Sequence, residues 1–355
     1  MTVAVFAMLI TRGTVVRQSD CSSPSSAWSS RRWRFGVGAY DGAVATTLGI
    51  VWNPSKGDKG ELASAAVAAF DRAGVAAEFL WFETTKDDPG QGPAAAALAA
   101  GCDTIVAAGG DGTVRAVAEK LAGTGVSVGI VPQGTGNLLA RNLEIPIADP
   151  RAAFHRVATA SPRSVDMGWV EIDTAVGTRK HGFVVMAGFG VDARMLNETD
   201  DELKAKIGWM AYAEAMGRAL TASELVDFTL SVNGATAARV KAHTMLIGNC
   251  GTIQGGMRIL PDARPDDGVL DVLMVSAAGV GEWLGALKTI AWDNGLKRLF
   301  AGGADAESTD FAEYLTVTEL GVELAEPQPF EIDGDEVGDV RGFSVTVQPG
   351  ALSLR

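Results

Sequence analysis

The stretch GGDGTVRAVAEKL, from Gly109 to Leu121, directly follows the apolar run CDTIVAA. Residues 104–108 predict a short buried strand, and residues 114–121 predict a helix. A glycine-rich turn between a strand and a helix presents backbone N–H groups and the positive end of a helix dipole, which together suit a phosphate group. The stretch therefore predicts a phosphate-binding turn.

Composition limits the classes of protein to consider. The chain has 355 residues, which is long enough for two domains, and its 47% hydrophobic and 21% charged residues are typical of a globular protein. Its net charge of −13 argues against nucleic acid as a partner. No apolar run is long enough to cross a bilayer, and residues 3–10 are too few, and lack a preceding basic residue, for a secretory signal. The three cysteines, Cys21, Cys102 and Cys250, are typical of free thiols in a reducing compartment, so we expect a cytoplasmic protein.

The chain divides into three parts. Residues 1–44 are rich in Ser and Arg and predict a flexible extension. Residues 45–164 alternate strand and helix patterns, which predicts a parallel sheet covered by helices, with ligands at the carboxyl ends of its strands. Residues 165–355 have mostly alternating patterns, which predict an antiparallel β-rich domain with helical segments at 202–220 and 281–300.

Two glycine-rich loops follow successive predicted strands. In the first, Asp111 favours a function over a plain tight turn, because a carboxylate in a phosphate-binding turn repels the ligand unless a cation or a proton transfer uses it. The second loop lies in VPQGTGNLLARNLEIP, residues 131–146, where Gly134 and Gly136 flank Thr135. Thr135 is a candidate phosphate contact, and Asn137 is a candidate helix cap or nucleotide contact.

Several segments, in this order and spacing, resemble the diacylglycerol kinase catalytic-domain superfamily of lipid kinases. They include VWNPSKGD, GGDGT, PQGTGNLLARNL, VDMG, GFVVMAGFGVDA, GWMAY, PDDGVLDVLMV and FEIDGDEVG. The resemblance extends from Leu48 to the C-terminus. It implies an α/β nucleotide-binding domain similar to NAD kinase and phosphofructokinase over residues 45–164, a β-sandwich domain over residues 165–355, and an active site between them.

The resemblance also implies that the protein binds ATP. An insertion, KDDPGQG, leaves open which of two adjacent threonines matches the family's threonine. Together with the residues identified above, the candidate ATP-binding set is Asn53, Ser55, Thr84, Thr85, Gly109, Gly110, Asp111, Gly112, Thr113, Gly134, Thr135 and Asn137.

The C-terminal IDGDE is similar to the family's DGE motif, whose acidic residues accept a proton. It provides Asp333 and Asp335, with Asp in place of the usual Glu, and the choice between them stays open. By pattern alone, Asp-Gly predicts a hairpin turn. With Asp111, these residues form the candidate catalytic set.

The resemblance implies a magnesium loop in ARPDDGVLD. Asp267 would be its side-chain ligand, with the backbone carbonyls of Arg264 and Val269, a set of oxygens that suits Mg²⁺. Asp166 in VDMG matches an acidic position that joins a water–metal network in bacterial members and contacts the lipid head group in sphingosine kinases. A plain Asp-Gly turn and a solvated strand-end carboxylate are the alternatives for the loop and for Asp166. Leu138 departs from the Asp of many bacterial diacylglycerol kinases and is closer to sphingosine and ceramide kinases.

Together, the resemblance implies an ATP- and Mg²⁺-dependent lipid kinase, with diacylglycerol as the first candidate acceptor and phosphatidic acid as the product. Sphingosine- or ceramide-type lipids, NAD, and non-catalytic lipid binding are the alternatives. The loop GTGNLLAR and the order of the C-terminal motifs argue against NAD kinase, and the missing sugar-phosphate clamp argues against phosphofructokinase. The expected partner is a lipid at the inner membrane surface, contacted peripherally, and some family members form homodimers.

Overall fold

The computed structural model describes residues 15–17, 34–36, 46–190, 225–253, 258–276 and 312–355. The predicted helical segments at 202–220 and 281–300, and with them GWMAY, lie outside these ranges. No helix in the described ranges is long and apolar enough to span a bilayer.

The N-terminal half is built on a parallel sheet. Its strands are β3 (Thr46–Trp52), β4 (Ala77–Glu83), β5 (Thr104–Gly109) and β6 (Ser127–Pro132), in the order β4-β3-β5-β6. All six residues of β5 are buried, which agrees with the apolar run that precedes the first glycine-rich loop. Two short strands, β1 (Val15–Arg17) and β2 (Arg34–Gly36), extend the β4 edge, although the sequence predicted no strands in this segment.

Within the described ranges, five helices accompany this sheet. They are α1 (Lys59–Ala73), α2 (Gln91–Ala99), α3 (Asp111–Leu121), α4 (Leu138–Asn142) and α5 (Pro150–Thr159). Helix α1 begins at the cap residue Asp58, whose carboxylate accepts the N–H of Glu61 at 2.9 Å, and it ends at Gly74 with a φ of +67°. Helix α5 was not predicted, although Asp149 before Pro150 is a start signal.

The C-terminal half is antiparallel, as predicted. Its strands are β7 (Arg163–Thr174), β8 (Gly177–Phe183), β9 (Met186–Phe189), β10 (Val226–Val232), β11 (Ala238–Ala242), β12 (Thr244–Gly248), β13 (Leu270–Val275), β14 (Ala312–Val317), β15 (Glu319–Ile332) and β16 (Asp335–Leu354). A second apolar core lies between these strands and includes Phe343, whose ring packs against the rings of Phe189 and Phe330.

The last strand returns to the N-terminal half. The end of β16 pairs in parallel with β6, at Ser353 with Ser127 and Leu354 with Val128. Val165 and Leu352 are buried in the same core as the parallel strands. Both the sheet and the first apolar core therefore contain residues from each side of the predicted division at residue 165. The β-rich half pairs with β6, the strand that precedes the second glycine-rich loop.

Candidate active site

The two glycine-rich loops lie side by side because they follow the neighbouring strands β5 and β6. Asp111, the first residue of α3, joins them: its Oδ2 accepts the N–H of Asn137 at 2.8 Å and its Oδ1 accepts the N–H of Leu138 at 2.6 Å. Burial raises the pKa of Asp111, and these backbone hydrogen bonds oppose that rise. Both oxygens of the carboxylate thus hold the second loop against the first.

Glycine is required where the loops touch. A Cβ atom on Gly134 would lie 2.7 Å from the Cα of Gly110, and one on Gly136 would lie 2.8 Å from Oδ2 of Asp111. These separations are well below van der Waals contact, so any side chain here would push the loops apart. The glycines therefore allow the backbones of the first and second loops to pack directly against each other.

Asn137 closes the second loop on itself. Its Oδ1 accepts the N–H of Gly134 at 2.9 Å and its Nδ2 donates to the carbonyl of Gly134 at 2.7 Å. Its φ of +48° is left-handed, a conformation that asparagine tolerates better than most residues. Asn137 is the N-cap residue of α4, but its side chain makes no capping hydrogen bond to that helix, while Thr135 lies exposed at the loop.

The loop after β3 lies beside the first glycine-rich loop. Nδ2 of Asn53 lies 3.4 Å from Oγ1 of Thr113, and Oδ1 of Asn53 accepts the N–H and O–H of Ser55 at 3.0 and 2.8 Å. Thr113 is 3% exposed and packs against Gly109, where an added Cβ atom would lie 2.6 Å from the Oγ1 of Thr113. Of the two candidate threonines after β4, Thr84 is buried and Thr85 is exposed, its hydroxyl accepting the N–H of Asp88.

The IDGDE segment forms the hairpin turn between β15 and β16. Asp333 and Gly334 occupy the turn with φ values of +49° and +86°, and Ile332 pairs with Asp335. The turn prediction from the pattern and the site prediction from the resemblance fall on the same residues. The carboxylates of Asp333 and Asp335 nevertheless differ in both burial and hydrogen-bond partners.

Asp333 is buried, with 5% of its surface exposed. Its Oδ2 accepts the N–H of Val184 at 3.0 Å, and its Oδ1 accepts the N–H groups of Val185 and Met186 at 2.9 and 3.0 Å. Burial raises the pKa of Asp333 to about 6, against the opposing effect of these donors and of Arg115. Its carboxylate therefore binds the backbone of the two residues before β9 and of Met186, the first residue of that strand.

Asp335 instead faces α3. Its Oδ2 accepts a hydrogen bond from Nη2 of Arg115 at 2.8 Å, and its side chain is 55% exposed. The same oxygen would lie 3.4 Å from a Cβ atom on Gly112, and the charge of Asp335 contributes to the raised pKa of Asp111. Of the two acidic residues of this motif, Asp335 is the one beside the first loop.

Arg115 was not identified from the sequence. Its Nη1 donates to the carbonyl of Ile332 at 2.6 Å while Nη2 holds Asp335. The available signal was its position four residues after Asp111, which places both side chains on one face of α3. Arg115 and Asp335 thus connect the two halves at the loops.

Asp166 and the 264–269 loop lie together elsewhere in the structure. Asp166 is 2% exposed and its oxygens accept the N–H groups of Gly268 and Gly350, each at 2.7 Å, so the alternative of a solvated carboxylate is wrong. Oδ1 of Asp267 accepts the N–H of Val269 at 3.3 Å and its Oδ2 lies 3.5 Å from Nε of Arg264. Within the described ranges, no group of three or more His, Cys, Asp or Glu side chains is arranged to hold a metal ion.

Comparison with known proteins agrees with this architecture. Residues 47–170 match the family described as diacylglycerol kinase catalytic domain, and residues 184–355 match the YegS C-terminal NAD kinase beta sandwich-like domain. A candidate diacylglycerol kinase from Bacillus anthracis has a solved structure with a TM-score of 0.64 and 22% identity, covering 87% of this chain and 96% of that one. This likeness supports the fold.

Sequence relatives are more informative about the family. A diacylglycerol kinase from Mycobacterium tuberculosis is 32% identical over 183 residues, which are 52% of this chain and 58% of the relative, so the match spans less than two thirds of that protein. A YegS-like lipid kinase from Pseudomonas aeruginosa is 33% identical over 300 residues, which are 82% of this chain and 88% of the relative. Because this second match extends through both halves of the fold, the protein belongs to the diacylglycerol kinase-like family of lipid kinases that includes the YegS-like proteins.

Proposed function

We propose that this protein transfers the γ-phosphoryl group of ATP, bound as its Mg²⁺ complex, to a hydroxyl group of a lipid. Diacylglycerol, giving phosphatidic acid, is the first candidate acceptor. The observation that carries the proposal is the position of Asp335: a partly exposed carboxylate of the β-rich half lies beside a glycine-rich loop of the α/β half. Phosphoryl transfer needs mainly positioning and charge neutralisation, and this arrangement can provide both.

The nucleotide would bind over the first and second loops. The N-terminal turn of α3 has backbone N–H groups without partners in the helix, and its dipole favours the phosphate charge. The exposed hydroxyl of Thr135 is available from the second loop, and Asn53 and Ser55 border the first. Asp111 serves here by holding the second loop in place, since both its oxygens accept backbone N–H groups.

Asp335 is the proposed general base. The acceptor hydroxyl oxygen forms a bond to the γ-phosphorus, the bond from that phosphorus to the β–γ bridging oxygen breaks, ADP leaves, and the hydroxyl proton passes to Asp335. A well-placed base contributes roughly 10²–10⁴-fold to the rate. Asp333 is unsuited to this step because it is buried and accepts three backbone hydrogen bonds.

A resident Mg²⁺ is implied by the family, and the 264–269 loop fits it in part. Burial, and then the charges of Asp267 and Asp262, raise the pKa of Asp271 to about 6, while Arg264 opposes that rise, so carboxylates and one guanidinium lie around this loop. Asp267 and the carbonyls of Arg264 and Val269 would hold the ion, which would supply charge compensation to the turn; Oδ2 of Asp267 would first have to leave Nε of Arg264, which lies 3.5 Å away. Asp166 does not fit as a direct ligand, because it is buried and both its oxygens accept backbone N–H groups.

The lipid acceptor implies peripheral contact with the cytoplasmic face of the membrane. A net charge of −13 does not favour bulk attraction to anionic lipid, so contact would require a local apolar or basic segment. A cytoplasmic location and a homodimer belong to the same proposal. Leu138, in place of the acidic residue of many bacterial members, favours sphingosine- or ceramide-type lipids as a second candidate acceptor.

The test is ATP-dependent phosphorylation in mixed micelles with Mg²⁺, offering diacylglycerol, sphingosine, ceramide and NAD in parallel. Label in one lipid, absent with the Asp335→Asn variant, would support the proposal and identify the acceptor. Label in NAD would refute it in favour of an NAD kinase. Binding of ATP and lipid without any product would favour a lipid-binding protein without catalysis.

A further inference from the structure

Arg115 contacts both sides of the hairpin turn that carries the proposed base. Its guanidinium donates to the carbonyl of Ile332, before the turn, and to the carboxylate of Asp335, after it. The Arg115 side chain is 17% exposed, whereas the Asp335 side chain is 55% exposed. The more buried guanidinium thus restricts the position of the more exposed carboxylate.

We propose that Arg115 is a positioning residue that fixes the Asp335 carboxylate relative to the first glycine-rich loop. This inference rests on the proposed function, in which Asp335 accepts the proton of the lipid hydroxyl. The planar guanidinium contacts two groups at once and so fixes the direction of the Asp335 carboxylate as well as its distance. The single ammonium group of a lysine would fix that direction less well.

The hairpin backbone has anchors other than Arg115. Ile332 and Asp335 are a ladder pair, the N–H of Asp333 donates to the carbonyl of Met186 at 2.8 Å, and the Asp333 carboxylate accepts three N–H groups from the other side. Removing the guanidinium therefore leaves the turn connected to β9. What it releases is the side chain of Asp335, which is the part needed for proton transfer.

Helix α3 links the contact between Arg115 and Asp335 to the glycine-rich loops. Asp111 begins the helix and holds the second loop, while Arg115 lies one turn later on the same face and holds Asp335. A further turn along, Glu119 accepts the N–H of Gly182 at 2.8 Å, which ties the helix to β8. One helix therefore sets the separation between the phosphate-binding loops and the base.

Steady-state kinetics of Arg115→Met, Arg115→Lys, Asp335→Asn and the Arg115→Met/Asp335→Asn double variant test the inference. We expect Arg115→Met to lower kcat roughly 10- to 100-fold, the effect of a misplaced catalytic group, with KM for ATP nearly unchanged. Arg115→Lys should recover part of that loss. The double variant should be no slower than Asp335→Asn, because Arg115 acts through Asp335. Lys120→Ala, which removes an exposed cation from the same helix, is the matched control.

Two results would overturn the inference: a kcat within twofold of wild type in Arg115→Met, or a double variant in which the two losses multiply. If Arg115→Met does not fold, Arg115→Gln, which also removes the charge and the two-point contact, takes its place under the same criteria. A crystal structure of the Arg115 variant gives a readout that does not need turnover: the Asp335 carboxylate should leave Gly112 while the Asp333 contacts persist, and an unmoved Asp335 would refute the inference. Wild-type protein without kinase activity would count against the proposed function, and the structural readout would still decide the role of Arg115.

Discussion

The carboxylate of Asp335 accepts a 2.8 Å hydrogen bond from the guanidinium of Arg115, a residue 220 positions earlier in the chain. This contact joins the hairpin of the β-rich half to the helix that follows the first glycine-rich loop. It brings a partly exposed carboxylate beside a site suited to phosphate. The proposed chemistry depends on this relationship more than on any single motif.

The two acidic residues of IDGDE should respond differently to substitution. Asp335→Asn is expected to fold normally and to lose roughly 10²-fold or more in kcat, because the general base is gone. Asp335→Glu, which keeps a carboxylate, should lose less. Asp333→Ala should instead be less stable by about 1–3 kcal/mol, since three N–H donors lose their acceptor. Kinetics and urea unfolding on all three variants check this, and an Asp335→Asn enzyme with wild-type kcat would rule out Asp335 as the base.

Asp111→Asn should weaken ATP binding as well as turnover. An amide offers one acceptor oxygen where the carboxylate offers two, so the N–H of Asn137 or of Leu138 would lose its partner. We expect at least about a tenfold loss in kcat/KM for ATP, since loop position sets phosphate position. Isothermal titration with ATP and steady-state kinetics measure the two effects.

Asp149→Asn is the control for this change, because asparagine caps a helix as well as aspartate and Asp149 caps α5. Its activity should equal that of wild type. Full ATP affinity and turnover in a folded Asp111→Asn variant would contradict the role given to Asp111.

Gly134→Ala should disrupt the contact between the two loops. The added methyl would lie 2.7 Å from the Cα of Gly110, so backbone must move, and a displacement of about 1 Å at a reacting group can cost roughly 10²-fold in rate. Gly60→Ala is the matched change in α1, where the atom nearest to the added methyl is Oδ1 of Asp58 at 3.1 Å and no backbone has to move. ATP titrations should show a loss for Gly134→Ala alone, and equal affinities in both variants would contradict the close packing of the loops.

The buried Asp333 should make stability depend on pH. Its pKa is raised from 3.8 to about 6, so between these values the folded protein holds a proton that the unfolded chain releases. The free energy of unfolding should therefore fall as pH rises through this window, by at most about 3 kcal/mol from this group. Urea unfolding of wild type and Asp333→Asn from pH 4 to pH 7 measures it. The variant should lack this component of the slope, and parallel slopes in the two proteins would show that Asp333 does not titrate as described.

Much of the fold follows from local patterns. The run before Gly109 is apolar over the length of one strand, and the helix after it begins within the GGDGT sequence, so the strand-loop-helix unit could be predicted from residues close together in the chain. The same holds for the Asp-Gly turn at Asp333, where two positive φ values suit those residue types. Family resemblance added the expectation that the turn and the loops form one site.

The sequence by itself therefore determined the alternation of strands and helices, the two glycine-rich loops and the hairpin turn, because backbone preferences act over a few residues. Only the tertiary structure decided that Asp333 is buried and Asp335 exposed, and that Arg115 binds Asp335. It also decided that the carboxylate of Asp166 accepts the N–H groups of Gly268 and Gly350. These facts depend on donors and acceptors more than 100 residues apart, and on which face of a strand or turn is covered. A local sequence pattern does not predict which partner a carboxylate will bind once the two halves have packed together.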